Sequence, residues 1–364
     1  MAAPRREDSA TVTNPEGLGP YWLLERMAEG RLGPVHRACL RRDGKPDKLL
    51  VLKRVAVSIA AEPGFSERFS ALMSEVANVV HPALCTIEDV GNGPEGELYV
   101  AVEHVIGRDL GRIHAALAHR GQALPPALVV YVANQVADAL AAAHRATRGG
   151  KLAPLFHGEL ALSEILIGYD GSVRLTGLGS HALESLVPGL APRGNRAPEL
   201  ERSGSCDARS DVYSLGACMY ELLTGGPALR GSKFSAEAPL PRPQSHIARV
   251  VPRPLQPIVS RALADDPAER FQSANELGRA LRRWSQEQST PGDAAALAAF
   301  LHAQLDAERS TDEERLRSAL ERVAAGRPVG SWPTDPAHVD GATRVRARTV
   351  LPASPTPPSG RLST

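Results

Sequence analysis

Residues 211–224 read as a helix that is apolar nearly all round, from Val212 and Leu215 through Met219 to Leu222 and Leu223. Such a helix must be surrounded by other elements, so it marks the middle of a lobe. The rest of the chain divides around it. Residues 21–105 read as strands, with apolar clusters at Tyr21-Trp22-Leu23-Leu24, Leu49-Leu50-Val51-Leu52 and Leu98-Tyr99-Val100-Ala101-Val102 separated by turn residues. One helix interrupts them at residues 65–80, with Phe69, Leu72, Met73, Val76 and Val79 at helical spacing and His81-Pro82 as its stop. From Leu110 onward helices dominate: residues 128–144, two or three shorter ones over 252–284, and one or two amphipathic helices over 293–323. The last group carries Leu297, Phe300, Leu301 and Leu305 on one face. A strand-rich part followed by a helical one predicts an α+β chain.

Bulk properties remove several function classes. Lys and Arg number 42 against 41 Asp and Glu, so no global field points to nucleic acid or a membrane surface. Cys39, Cys85, Cys206 and Cys218 are far apart, which fits a reducing compartment and neither a zinc ribbon nor a disulfide framework. The histidines show no metal-ligand spacing, and no structural metal is expected. Residues 1–20 lack an apolar signal core, and no apolar run approaches the roughly 20 residues of a membrane span. A cytoplasmic protein is the expectation.

Several motifs stand in a telling order. Gly30-Arg31-Leu32-Gly33-Pro34-Val35 follows a strand, and Val51-Leu52-Lys53 closes another. Val102-Glu103-His104 precedes Gly107-Arg108-Asp109-Leu110. Further on come Ala197-Pro198-Glu199, then Arg209-Ser210-Asp211-Val212-Tyr213-Ser214-Leu215-Gly216, then Asp266-Pro267-Ala268-Glu269-Arg270-Phe271. Together they resemble a bacterial eukaryote-like (Hanks-type) Ser/Thr protein kinase over about residues 21–284. The resemblance implies a bilobal fold, with a strand-rich N-lobe over 21–107 and a helical C-lobe over 108–285. It is joined by a helical extension at 290–325 and flanked by disordered segments at 1–20 and 326–364.

The same resemblance assigns roles by position. Gly30, Gly33, Val35, Val51, Lys53, Glu103 and Leu166 would hold a nucleotide, with glycines letting backbone amides approach phosphates and Lys53 pairing with them. Asp211, and Glu199 with Arg270, would fix the catalytic loop and the activation segment. The catalytic loop appears as His157-Gly158-Glu159-Leu160-Ala161-Leu162-Ser163-Glu164. Glu159 stands where the family has the Asp that accepts the substrate proton, and one extra methylene misplaces it. Glu164 stands for a metal-binding Asn, and Gly177 for the Asp of Asp-Phe-Gly. Gly158 replaces the Arg that receives an activation-loop phosphate. Leu72 occupies the position of the Glu that pairs with Lys53, with Glu75 one turn on and read as a surface residue.

Nucleotide, metal and base positions have drifted together. The expected protein is a degenerate, kinase-like regulatory or scaffolding module that binds a protein partner, such as an active kinase or its substrate. ATP binding stays open, and Mg²⁺ is not expected. The alternative is an active atypical Ser/Thr kinase using Glu159 as base. His157-Gly158-Glu159-Leu160 is also similar to the His-Gly-Asp-Leu of small-molecule phosphotransferases, which lack the Ala-Pro-Glu and residue 209–216 motifs. In the tail, Thr343 and Thr349 are candidate phospho-acceptors in a basic stretch, against the plainer reading of a solvated linker.

Overall fold

Period-two alternation in the first part of the chain builds a curled antiparallel sheet. Its strands are β1 (Glu16–Leu18), β2 (Tyr21–Glu29), β3 (Pro34–Arg42), β4 (Lys45–Arg54), β5 (Ile87–Asn92) and β6 (Leu98–Glu103), in the order β1-β2-β3-β4-β6-β5. Successive residues point to opposite faces. Tyr21 and Leu23 therefore join Ala38, Leu50, Leu52 and Tyr99 in one apolar cluster, while Trp22, Leu24 and Cys39 enter another on the far side. The computed structural model describes residues 16–42, 45–93, 96–187, 194–225 and 251–325. β1 pairs with β2 through Glu16↔Leu23 to Leu18↔Tyr21, so the sheet begins inside the stretch read from sequence as a disordered amino terminus.

Two helices cross this sheet: the single turn α1 (Val57–Ala60) and α2 (Phe65–Ala77), which buries Phe65, Phe69, Met73 and Val76. Helix α2 ends three residues earlier than its apolar spacing suggested, because the chain turns at Asn78 ahead of His81-Pro82.

The second lobe opens with β7 (Gly107–Asp109), α3 (Leu110–His119) and α4 (Pro126–Ala143), then a hairpin of β8 (Thr147–Arg148) and β9 (Lys151–Leu152). Next, β10 (Ile165–Gly168) and β11 (Val173–Leu175) form a small sheet in the order β11-β10-β7. The remaining elements are α5 (Ser180–Leu186), α6 (Pro198–Ser203), α7 (Ala208–Thr224), α8 (Gln256–Ala262) and α9 (Ala274–Gln286). Helix α7 starts at Ala208 because Asp207 caps it and Ser210 closes a capping box. Its residues from Ser210 to Tyr220 are all buried, as an all-round apolar helix requires. Helix α4 is the one helix among the described residues long and apolar enough to cross a membrane, and it packs inside this lobe against α7 and α9.

The last element, α10 (Ala294–Ala325), breaks at Leu305, where φ is −129°. Before the break, Leu297, Leu301 and Leu305 sink into the main core. After it, the helix crosses to the other lobe and buries Ala319 against Trp22, Leu24 and Cys39. Asp312 anchors the crossing: it accepts from Arg108 Nε at 2.7 Å, Arg108 Nη2 at 3.0 Å and Tyr169 Oη at 2.7 Å. Arg120 pairs with Glu308 beside it. Sequence reasoning set this extension against the C-lobe or a partner; it straps both lobes. Thr343 and Thr349 lie outside the described residues.

Candidate active-site cleft

The two lobes enclose a cleft of about 490 Å³. Strand alternation decides what faces it. Leu50 and Leu52 of β4 go into the sheet's own cluster, which leaves Val51 and Lys53 on the cleft wall. Gly30 and Gly33 in the β2–β3 turn, Val35, Glu103 and Leu166 line the same space, as do Glu164, Thr176 and Gly177. The turn is closed by a hydrogen bond from Gly30 N–H to the Gly33 carbonyl, 2.8 Å. Lys53 Nζ donates to Thr176 Oγ1 at 2.9 Å. The Glu103 carboxylate accepts from Arg174 Nε at 3.2 Å and from the Thr86 amide at 3.2 Å, tying β6 to β11.

Leu72 is half-buried on α2 and packs against the core, 3.6 Å from where a Cβ on Gly179 would sit. Glu75 reaches Arg148 of the β8–β9 hairpin at 2.6 Å, so it is engaged on the far side of α2 rather than with Lys53. Sequence gave it no specific partner, because the hairpin's position is a tertiary fact.

Below the cleft, a frame fixes the catalytic loop. Asp211 is fully buried and accepts from the His157 and Gly158 amides at 3.0 and 2.6 Å and from His144 Nε2 at 2.7 Å. Burial opposes its ionisation, yet the hydrogen bond and charge of His144, with His157 and the Gly158 amide, hold its pKa below the ordinary carboxylate value. Gly158 has φ +82°, and a Cβ there would lie 2.7 Å from His181 Cβ, so the position has no room for a side chain as it stands.

Farther out, Arg270 donates to both oxygens of Glu199 at 2.8 Å each, and to the carbonyls of Ala264, Arg209 and Asp265 at 2.7, 3.1 and 3.1 Å. All five of its N–H groups are matched. Its guanidinium lies 4.8 Å over the Tyr213 ring.

The reactive positions are arranged differently. His157 is fully buried, with Nε2 3.1 Å from the Thr176 carbonyl and 3.2 Å from Glu164 Oε2. Burial pushes the Glu164 carboxyl up, against the pull of His157, Lys53 and Arg31. Gly177 has φ +81°, and a Cβ there would meet Glu164 Oε1 at 2.7 Å. Glu159 is buried and ion-paired with Arg31, which descends from the β2–β3 turn. Arg31 also reaches Glu184 of α5 at 3.0 Å. Sequence reasoning passed over Arg31 and Glu184; a cation inside a glycine-bearing turn was the available signal.

Mg²⁺ is held by one or two carboxylates together with substrate phosphates. Of the two positions that would supply them, 164 carries a carboxylate, 3.2 Å from His157 Nε2, and 177 carries none. Val35, Val51 and Leu166 form an apolar part of the cleft wall, and Lys53 brings a cation to the same space.

The protein kinase domain model matches residues 21–279. The chain is 26% identical over 315 residues to the tyrosine-protein kinase MasK of Myxococcus xanthus, covering 82% of this chain and 48% of that protein. It is 30% identical over 283 residues to the serine/threonine-protein kinase PknL of Mycobacterium tuberculosis, covering 74% of this chain and 67% of PknL. PknB of Mycolicibacterium smegmatis is 29% identical over 349 residues, covering 88% and 51%. The chain thus spans about half the length of MasK and of PknB. The crystal structure of the M. tuberculosis PknI kinase domain superposes with a TM-score of 0.59 at 24% identity, covering 76% of this chain and 100% of that one, a likeness of fold.

Proposed function

The chain belongs to the protein kinase family, and on that premise we propose that it is a catalytically impaired member acting as a regulatory or scaffolding module. It binds a protein partner, with nucleotide a conformational ligand rather than a phosphate donor. The observation that carries this reading is the occupancy of the base position: the Glu159 carboxylate is ion-paired with Arg31 inside the fold. A general base has to stand within hydrogen-bond reach of the proton it takes. The absence of a side chain at Gly177 and the burial of Glu164 beside His157 support the same conclusion for the metal.

In this reading residues 21–107 and 108–285 are the lobes, 290–325 is an accessory strap, and the setting is cytoplasmic. Gly30, Gly33 and Lys53 supply donors and charge to a nucleotide, while Val35, Val51 and Leu166 clasp its base. The intact Asp211 and Glu199–Arg270 arrangements support a partner-binding role, since they preserve the outer surface of the C-lobe without requiring chemistry.

The relatives, serine/threonine- and tyrosine-protein kinases, favour the second reading, an active atypical kinase. One experiment separates the two. Full-length protein is assayed by thermal shift with ATP, alone and with Mg²⁺ or Mn²⁺, and for γ-phosphate transfer to itself and to generic protein substrates. The expected result is metal-independent stabilisation without transfer. Metal-dependent phosphorylation abolished by Lys53→Ala or Glu159→Ala would overturn the proposal.

A further inference from the structure

The β2–β3 turn rests on the main core through Leu32, and one charged side chain ties it to the opposite lobe. Its backbone makes the Gly30–Gly33 hydrogen bond, and Leu32 accepts from the Ala56 amide at 2.7 Å. Arg31 then spans the mouth of the cleft. One Nη pairs with Glu159 of the catalytic loop; the other reaches Glu184 of α5 at 3.0 Å. The first also lies 3.4 Å from the Ser180 carbonyl. The Arg31 side chain is 12% exposed and that of Glu159 3%, so the contact sits inside the closed lobes. Arg196 pairs with Glu184 as well, and His181 Nδ1 lies 3.8 Å from it. Two guanidiniums thus face two carboxylates, and the cluster is charge-balanced without a ligand.

We propose that Arg31 is an intramolecular latch: it holds the glycine-bearing turn on Glu159 and Glu184, and the cleft opens to a phosphate-bearing ligand only when that guanidinium is displaced. The same N–H groups cannot hold both carboxylates and a phosphate, so the two states exclude each other. A ligand that draws Arg31 away leaves Glu184 to Arg196 and uncovers Glu159. Ligand entry at the turn is thereby linked to the footing of α5 on the opposite lobe, because both hang on one side chain. The rear of the molecule does not share this link. There Asp312 fixes α10 on Arg108 and Tyr169 while Ala319 packs on Trp22 and Leu24 of the other lobe, so the lobes stay joined by α10 when the front opens. The latch is therefore a local device in the turn and α5. The ligand half of this inference rests on the nucleotide reading above; the mechanical half does not.

Amide hydrogen exchange on the full chain tests it without ligand, comparing wild type with Arg31→Met and with Glu159→Gln/Glu184→Gln. The double variant keeps the cation and removes the charges that hold it. Expected is an acceleration of about tenfold over residues 27–35 and 180–187 in both variants, with residues 208–224 and 306–320 unchanged. Unchanged exchange at the turn in the double variant overturns the latch. Should Arg31→Met expose residues 208–224 as well, it has unfolded, and the double variant decides. ATP in EDTA is then titrated against wild type and the double variant. Tighter binding to the double variant, by about tenfold, is expected. Equal binding overturns the gating role, whereas no binding to either overturns the nucleotide reading and leaves the mechanical latch to the exchange result.

Discussion

Arg270 and Arg31 are both guanidiniums enclosed by the fold and bound to glutamates of other segments, yet they are built for opposite purposes. Arg270 is fully buried, has a partner for every N–H, lies over Tyr213 and joins pieces of one lobe. Arg31 sits on a turn, joins two lobes, and has no partner for Nε among the described residues. A buried charge with complete hydrogen bonding fixes one arrangement, whereas an incompletely bonded one at a cleft mouth can exchange partners at moderate cost. The first arrangement is locked by the packing of its own lobe, whereas the second depends on how the two lobes close on each other.

The largest effect that sharpens this contrast is at Arg270. Arg270→Ala removes the cation from half-buried Glu199, leaving it the Ser210 hydroxyl, and strips a donor from three carbonyls; it is expected to cost about 4 kcal/mol in urea unfolding. Arg270→Lys should recover little, since an ammonium cannot reproduce the planar fork. A loss below about 1 kcal/mol would erase the distinction between the two regions.

Next is Asp211→Asn, with a cost of about 3 kcal/mol at neutral pH. Its pH dependence follows from the lowered carboxyl pKa. The carboxylate's contribution is complete above the unfolded value, near 4, and is lost as pH falls through the lower folded value. The gap between wild type and variant should therefore narrow in acid, and a gap that widens there would contradict the assignment.

Asp312→Ala, at the half-buried strap, is expected to cost about 2 kcal/mol and to raise exchange along the second half of α10. Arg31→Met should cost least, about 1 kcal/mol, because opening the turn lets water onto Glu159 and Glu184.

What could be read from the sequence divides along the same line. Asp211, Glu199 and Arg270 were legible through the family resemblance, since each stands in a short motif that can be matched along the sequence, and the structure gives each the partners that resemblance implied. The strand alternation that sends Val51 and Lys53 to one side was equally local. Arg31, Glu184 and the Glu75–Arg148 pair were not legible. Their partners lie in the other lobe or in a hairpin with no apolar period, so only the closure of the two lobes defines them. Helix α10 fell between: its apolar face at Leu297, Leu301 and Leu305 was visible. Its break at Leu305 and its passage to Trp22 and Leu24 depend on where the N-lobe stands.

The backbone at Gly177 bears on which side chains the position can accept. Its positive φ is one that aspartate adopts more readily than most residues, so geometry alone does not bar one there. The neighbour that must give way is Glu164, whose Oε1, the far end of a flexible side chain, lies 2.7 Å from where a Cβ would sit. An aspartate at residue 177 would also place a second carboxylate beside one that burial already pushes up, and the two would oppose each other's ionisation. Residues 164 and 177 are therefore coupled: an acid at 177 obliges the Glu164 side chain to move, and a shorter, uncharged residue at 164 would remove both the contact and the charge conflict.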